Sequence, residues 1–297
     1  MARQATQQSL RNLGVDAIFL QQWHCLPTEE YRRGEVFEHL ETLKREGLIQ
    51  HWGCSVETVE EARLCLTHPG CETLQVIYNV FRQKLTDELL PLARQQEVGI
   101  LARVPLASGL LAGRFAPGHQ FPSEDHRHYN AHGQVFNVGE TFAGLPFAKG
   151  VELAEKVRAI LEPAGGEAMS QLALRWILDH EAVSTVIPGA TKVAQAESNA
   201  AASGLLPLGE ATHQQLRELY EREIAWRGTG HRRRDDRLRD PLLRRAPSRP
   251  EVAQALNQDT LSEQIGETGD RRAVRDRFLE RMREPLAHED REVRVRG

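Results

Sequence analysis

Between residue 9 and about residue 224, short apolar runs alternate with longer stretches of helical periodicity, and this alternation restricts the fold more than any other feature of the chain. The runs at 17–22, 49–54, 73–78, 99–103 and 184–187 are short, apolar and followed by turn residues. Strands of a parallel sheet look like this, because helices cover both faces and no polar alternation is needed. Amphipathic segments lie between them. Residues 35–46 place Val36, Leu40 and Leu43 on one face. Residues 59–66 follow Thr58, which with Glu61 three positions on predicts a reciprocal capping box. Thr86 is the predicted cap of a third helix running through Leu89, Leu90 and Leu92 to Gln96, with Gly99 at its exit. Residues 151–161, 169–180, 193–202 and 209–224 complete the helical set. The whole reads as β-α units around a parallel sheet. Five units suit an open doubly wound sheet or part of a (β/α)8 barrel, both with right-handed crossovers. The turn after the first run lacks the G-x-G-x-x-G spacing of a dinucleotide fold, which counts against the open sheet.

Several function classes drop out on composition. No apolar run approaches the roughly 20 residues of a membrane-spanning helix, so no membrane partner is expected. Arg3, Gln4, Gln7 and Gln8 leave no apolar signal-peptide core behind Met1, and a cytoplasmic location is expected. Cys25, Cys54, Cys65 and Cys71 show no C-x-x-C spacing and no accompanying histidine pattern, so no metal is expected and the thiols read as buried fillers. A net charge of −4 gives no overall pull towards nucleic acid. Residues 107–149 form a long loop containing Gly and Pro, a length usually reserved for a lid or specificity loop. The domain division expected is 1–228 for the β-α region and 229–297 for a charged, partly helical or disordered tail. Its 231–250 segment is rich in Arg and Asp without apolar period, and Phe278, Leu279 and Met282 offer a small apolar face further on. Interleaved acids cancel the arginine charge and no aromatic platform accompanies it, so nucleic-acid binding is not expected.

Five segments arrive in a particular order: SLRNLGVDAIFLQQWH at 9–24, LKREGLIQHWGCS at 43–55, QVIYNVF at 75–81, PLASGLLAGR at 105–114 and STVIPGA at 184–190. Together they resemble the aldo-keto reductase family, over about residues 3–224. The resemblance implies a (β/α)8 TIM barrel of which this chain holds units four to eight. It also implies NADP(H)-dependent reduction of a small aldehyde or ketone, with hydride passing from the nicotinamide to the carbonyl carbon. In the family a Tyr protonates the oxygen, a Lys lowers that Tyr's pKa, an Asp pairs with the Lys, and a His orients the carbonyl. His24 matches the histidine. The other three belong to the second and third units and are expected to be absent from this chain. Whether the chain is an enzyme therefore stays open between an oxidoreductase incomplete in this chain and an inactive remnant that binds cofactor or a partner. Unpaired first and last strands predict self-association through their edges.

The resemblance assigns further residues. Ser55 and Gln75 match the positions that hold the nicotinamide carboxamide, with Val56 where the family has Asn. Arg103 stands where an aromatic ring, or in an Arg-Val-Pro-Leu branch a guanidinium, lies against the nicotinamide; a surface arginine is the reading without a ligand. Pro105, Leu106 and Gly109 follow in the same stretch, and Arg114 matches a pyrophosphate contact. Ile187, Gly189, Ala190, Thr191, Lys192, Gln195 and Asn199 match the loop and helix N-terminus around the adenosine 2′-phosphate, where backbone N–H groups and a lysine suit an anion. Gln195 and Ser198 replace a common Arg and Glu, and a plain helix cap is the alternative. Phe121, Pro122, Asp125, His126 and Arg127 are expected to shape the substrate mouth. Trp23 and Cys25 are expected to pack, and Tyr31 to face solvent.

Overall fold

Strands β1 (Ile18–His24), β2 (Ile49–Ser55), β3 (Thr73–Ile77), β4 (Gly99–Arg103) and β5 (Val183–Val186) form one sheet in the order β1-β2-β3-β4-β5. Every pairing is parallel, so each strand lies beside its predecessor in sequence. The computed structural model describes residues 2–162 and 166–225. The tail expected at 229–297 lies outside the described residues. Helix α1 (Ala2–Leu13) precedes β1, and α2 (Thr28–Arg33) with α3 (Glu35–Arg45) connects β1 to β2. Helices α4 (Val59–Leu66) and α5 (Leu85–Gln95) make the next two crossovers. After β4 come the short α6 (His126–Tyr129), then α7 (Phe147–Leu161) and α8 (Met169–Leu178), and after β5 come α9 (Val193–Ala201) and α10 (Glu210–Tyr220). Among the described residues no helix is long and apolar enough to cross a membrane.

The apolar stripes do what their spacing requires. Val36, Phe37, Leu40 and Leu43 of α3 are all buried, and Phe37 stacks on Trp52 of β2 with ring centroids 5.9 Å apart. Burying side chains of this size stabilises the fold by about 1.5–3 kcal/mol each, which outweighs the weak helix propensity of such short segments. The Thr58–Glu61 capping box forms as predicted and starts α4. Thr86 does not cap α5. Lys84 occupies the cap with helical φ/ψ and no side-chain cap bond, while the Thr86 hydroxyl pairs with the Tyr78 hydroxyl at 2.8 Å. A cap needs extended backbone at that residue, and here the chain is already helical.

Helix α7 begins at Phe147, earlier than periodicity suggests, because Phe147 joins Phe115, Phe121 and Phe142 in an aromatic cluster with centroids 5.0–5.7 Å apart. The segment 104–146 is thus an ordered loop with its own interior. Asn130 is fully buried at its centre: it donates to Thr141 Oγ1 at 3.1 Å and accepts from Val135 N and Phe136 N at 2.9 and 3.0 Å.

Candidate active site

Along a strand, side chains alternate between faces. Trp23 turns to the helix side, donating from Nε1 to the Val36 carbonyl at 2.9 Å. Gln22 and His24 therefore face the other way, the side that no crossover helix covers. The register sets His24 beside Ser55, Ser55 beside Gln75, and Ile77 beside Arg103; His24, Ser55, Ile77 and Arg103 end their strands, and Gln75 lies in the middle of β3. A polar ladder runs across this face. Gln22 Nε2 donates to Thr73 Oγ1 at 3.0 Å, Gln75 Nε2 to Gln22 Oε1 at 2.9 Å, and Ser55 Oγ to Gln75 Oε1 at 3.4 Å. His24 is exposed at the rim.

Cys25 takes a left-handed conformation (φ 49°) that bends the chain off the strand, and its N–H bonds to the Ser55 carbonyl at 2.8 Å. Its thiol lies 3.8 Å from Ser55 Oγ. Since the Ser55 proton goes to Gln75, the thiol is the donor. Burial pushes the Cys25 pKa up, more strongly than the nearby Arg103 pulls it down, so the thiol is neutral at pH 7. Cys54, Cys65 and Cys71 are fully buried.

Tyr31 corrects an expectation. It is 2% exposed, packed 6.2 Å from Phe37, with its hydroxyl donating to the Ser55 carbonyl at 3.2 Å and accepting from Leu26 N at 3.3 Å. Helix α2 turns its ring inwards, and burial raises the phenol pKa well above its ordinary value. It ties the loop after β1 to the end of β2 and is not an acid.

Arg103 is only 5% exposed, which removes the reading of a surface arginine. Its Nη2 donates to Cys25 Sγ at 3.5 Å, its Nη1 forms an ion pair with Glu140, and its buried Nε has no hydrogen-bond partner. Asn79 fixes the chain just beyond by donating to the Val104 carbonyl at 2.9 Å. Val104, Ala107 and Ser108 then adopt positive φ, winding the chain into the turn Ala107–Ala112. Pro105 and Leu106 enter that turn, and Gly109 (φ 97°) passes so close to Phe115 that a Cβ would lie 3.0 Å from its ring.

Arg114 is exposed beyond the turn. Phe121 sits under Arg127, whose guanidinium lies 4.6 Å from the ring centroid. Arg127 also grips Asp125 through Nη2 at 2.5 Å, holding that carboxyl at a pKa of about 2. Pro122 and His126 flank this pair.

The second group lies after β5. Ile187 N bonds to the Ala102 carbonyl at 3.0 Å, and Gly189, Ala190, Thr191 and Lys192 follow as exposed residues. Lys192 is the extended N-cap of α9 and makes no side-chain cap bond. Gln195 reaches back to accept from Thr191 N at 2.8 Å, occupying one of the backbone donors at this helix start. Asn199 is half-buried one turn further on. His24, Ser55, Gln75 and Arg103 are thus gathered on four adjacent strands, whereas Arg114 lies on an exposed loop and the 187–199 group on the loop after β5 and the first turns of α9.

Sequence reasoning missed Glu140, Gln22 and the structural role of Tyr31. Glu140 carries no local signal, since only the folded loop brings it to Arg103. Among the described residues no group of three or more His, Cys, Asp or Glu side chains is arranged to hold a metal ion.

Comparison with known proteins gives consistent relatives. An uncharacterised oxidoreductase of Schizosaccharomyces pombe is 27% identical over 203 residues, 68% of this chain and 53% of that protein. A probable voltage-gated potassium channel subunit beta of Arabidopsis thaliana is 29% identical over 223 residues, 69% of this chain and 62% of that protein. The chain thus spans between about half and just under two thirds of these relatives. Among solved structures, the glycerol dehydrogenase of Gluconobacter oxydans superposes with a TM-score of 0.59 at 24% identity, covering 75% of this chain and 64% of that one. An aldo-keto reductase of Klebsiella pneumoniae, solved in complex with NADPH, superposes with a TM-score of 0.50 at 25% identity, covering 74% and 64%. The five parallel units are accordingly part of a (β/α)8 barrel. The model of the aldo/keto reductase family matches residues 1–221, from the first helix to the end of α10, and the chain belongs to that family.

Proposed function

We propose that this chain forms the cofactor side of an NADP(H)-dependent oxidoreductase that reduces a small aldehyde or ketone. The observation that carries the reading is the gathering of His24, Ser55 and Arg103 at the C-terminal ends of parallel strands, where barrel enzymes place their chemistry, with Gln75 of β3 bonded to Ser55. The residues suit a nicotinamide. Gln75 spends one amide N–H on Gln22 and accepts one bond from Ser55, which leaves a donor and a lone pair for a carboxamide. Arg103 brings its guanidinium to the same site, steadied by Cys25 on Nη2 and Glu140 on Nη1. The NADPH bound to the Klebsiella relative supports the same choice of cofactor.

When bound, the nicotinamide supplies the hydride that adds to the carbonyl carbon. Ser55 and Gln75 orient its amide, and Arg103 offers the plane of its guanidinium. His24 donates an N–H to the carbonyl oxygen, favouring the charge that builds there. The backbone N–H groups of Gly189, Ala190 and Lys192, with the Lys192 ammonium, take the 2′-phosphate, while Asn199 reaches the adenine and Arg114 the pyrophosphate. In the family the proton for the oxygen comes from a tyrosine, assisted by a lysine and an aspartate, in barrel units ahead of the one matched by the His24 strand. Residues 1–228 make the reductase domain in this reading, and four free thiols suit a reducing cytoplasm.

The test is a titration of the 297-residue chain with NADPH, followed by energy transfer from tryptophan to the nicotinamide. Saturable binding that weakens in Ser55→Ala and Gln75→Ala supports the reading. No binding by the wild-type chain overturns it.

A further inference from the structure

We propose that Glu140, by pairing with Arg103, sets the charge beside the nicotinamide position and so determines how the site weighs oxidised against reduced cofactor. This rests on the NADP(H) reading above.

Glu140 is built into place. Its carbonyl accepts from Ser108 Oγ at 2.9 Å, and the same hydroxyl accepts from Phe142 N at 3.1 Å. Its N–H bonds to the Asn137 carbonyl at 3.0 Å, and Asn137 Oδ1 caps Gly139 N at 2.7 Å. On the other side a Cβ at Gly139 would meet Arg82 Nη1 at 1.8 Å, so the loop passes hard against β3's exit turn at glycine. Ser108 reaches this position only through a left-handed backbone (φ 55°). The main chain that carries the carboxylate is therefore fixed on both sides of Glu140, so less backbone freedom is lost in forming this pair than in forming a pair on a loose loop.

The surrounding charges make the pairing consequential. Arg103 is permanently cationic, and its side chain is 6% exposed against 22% for Glu140. Cys25, the other group on the guanidinium, is a neutral thiol. Glu57, beyond the end of β2, attracts it from further away. Among the described residues Glu140 is thus the one carboxylate in direct contact, and the pair as a unit is neutral. A reduced nicotinamide ring is uncharged and an oxidised one is cationic. A neutral pair admits both, whereas a bare guanidinium repels the oxidised ring in a site with little water to screen it.

Dissociation constants of NADP+ and NADPH for the full 297-residue chain test this, since a merely structural role of Glu140 would change both alike. In Glu140→Gln the ratio of the NADP+ to the NADPH constant should rise on the order of ten-fold, more at low salt. Glu140→Asp should keep the wild-type ratio. The double variant Arg103→Gln/Glu140→Gln removes both charges and should return the ratio to near wild type even if both constants rise; Glu140→Ala, which also removes the carboxylate and should skew the ratio the same way, carries the test if Glu140→Gln alone does not fold. A Glu140→Gln ratio within two-fold of wild type, or a double variant as skewed as that single one, overturns the proposal. Wild-type protein that binds neither nucleotide removes the NADP(H) reading and this one with it.

Discussion

Gly53 lies in the middle of β2, in register with Gln22 on one side and Thr73 on the other. A Cβ at this position would sit 2.0 Å from Thr73 Oγ1, 2.2 Å from the Thr73 carbonyl oxygen and 2.9 Å from its carbon. Rotating the threonine relieves only the first contact, because the other two are backbone. Restoring an ordinary approach means moving β2 and β3 apart by about 1 Å, against a normal strand spacing of about 4.8 Å. That strains the local ladder and the Gln22–Thr73 bond, each bond contributing roughly 0.5–1.5 kcal/mol, on top of about 1–3 kcal/mol for overpacking. Ala in place of Gly returns about 0.4–1 kcal/mol through the unfolded chain. The expected net loss is about 3 kcal/mol, or a fall in Tm of roughly 6–12 °C for a domain of this size. Thermal unfolding followed by circular dichroism measures it, with Gly189→Ala as the control, since nothing lies within 4 Å of a Cβ there. The control should stay within about 1 °C of wild type. A Gly53→Ala protein that melts with the control refutes the close approach, and with it the register that sets Ser55 beside Gln75.

Two further perturbations probe other parts of the molecule. Asn130→Ala leaves the buried Thr141 hydroxyl and two loop N–H groups without their partner and should destabilise the 104–146 loop by about 2–4 kcal/mol. Limited proteolysis should then cut within that loop at least ten-fold faster, and an unchanged cutting rate contradicts the loop's polar core. Burial holds the pKa of His180 and of His68 below 6.5, so both stay neutral in the fold while the unfolded chain takes up protons. Their contribution to stability is present above pH 6.5 and is lost as pH falls from there through the lowered folded pKa. Urea midpoints between pH 7 and 5.5 should decline, and His68→Phe/His180→Phe should flatten that slope; an unaltered slope in the double variant rejects the assignment.

How much of this was legible in the sequence depends on the range of the forces involved. Strand β4 and the Thr58–Glu61 capping box are where the sequence puts them, because both follow from residues within a turn or a single run. Strand β1 extends to His24, past the end at residue 22 that the apolar run alone gives, since Trp23 and His24 still pair in the ladder with Cys54 and Ser55. Helix α7 was hidden at its start by Gly150, whose missing side chain makes room for Leu110; a Cβ there would lie 2.6 Å from Leu110 Cδ1. Tyr31 sits among Glu29, Glu30, Arg32 and Arg33 and reads as solvated, yet one ring on a short helix is enough when Phe37 waits beneath it. The order of the family segments made His24, Ser55, Gln75 and Arg103 identifiable as candidates. Glu140 could not be found this way, because ion pairs across a loop leave no period.

The joint between β4 and β5 has a mechanical consequence. β5 has four residues, its register slips at Ile100/Leu101, and the crossover that brings it back from Arg103 is the longest in the sheet. Each doubling of a connection adds about 0.6 kcal/mol to the entropy of closing it. This seam is closed by the longest connection in the sheet, and the stretch from Ile187 to Lys192 hangs directly from it. An anion caught by that stretch would act as a rivet: at a hundred times its dissociation constant it would add about 2.7 kcal/mol to the seam's resistance to opening.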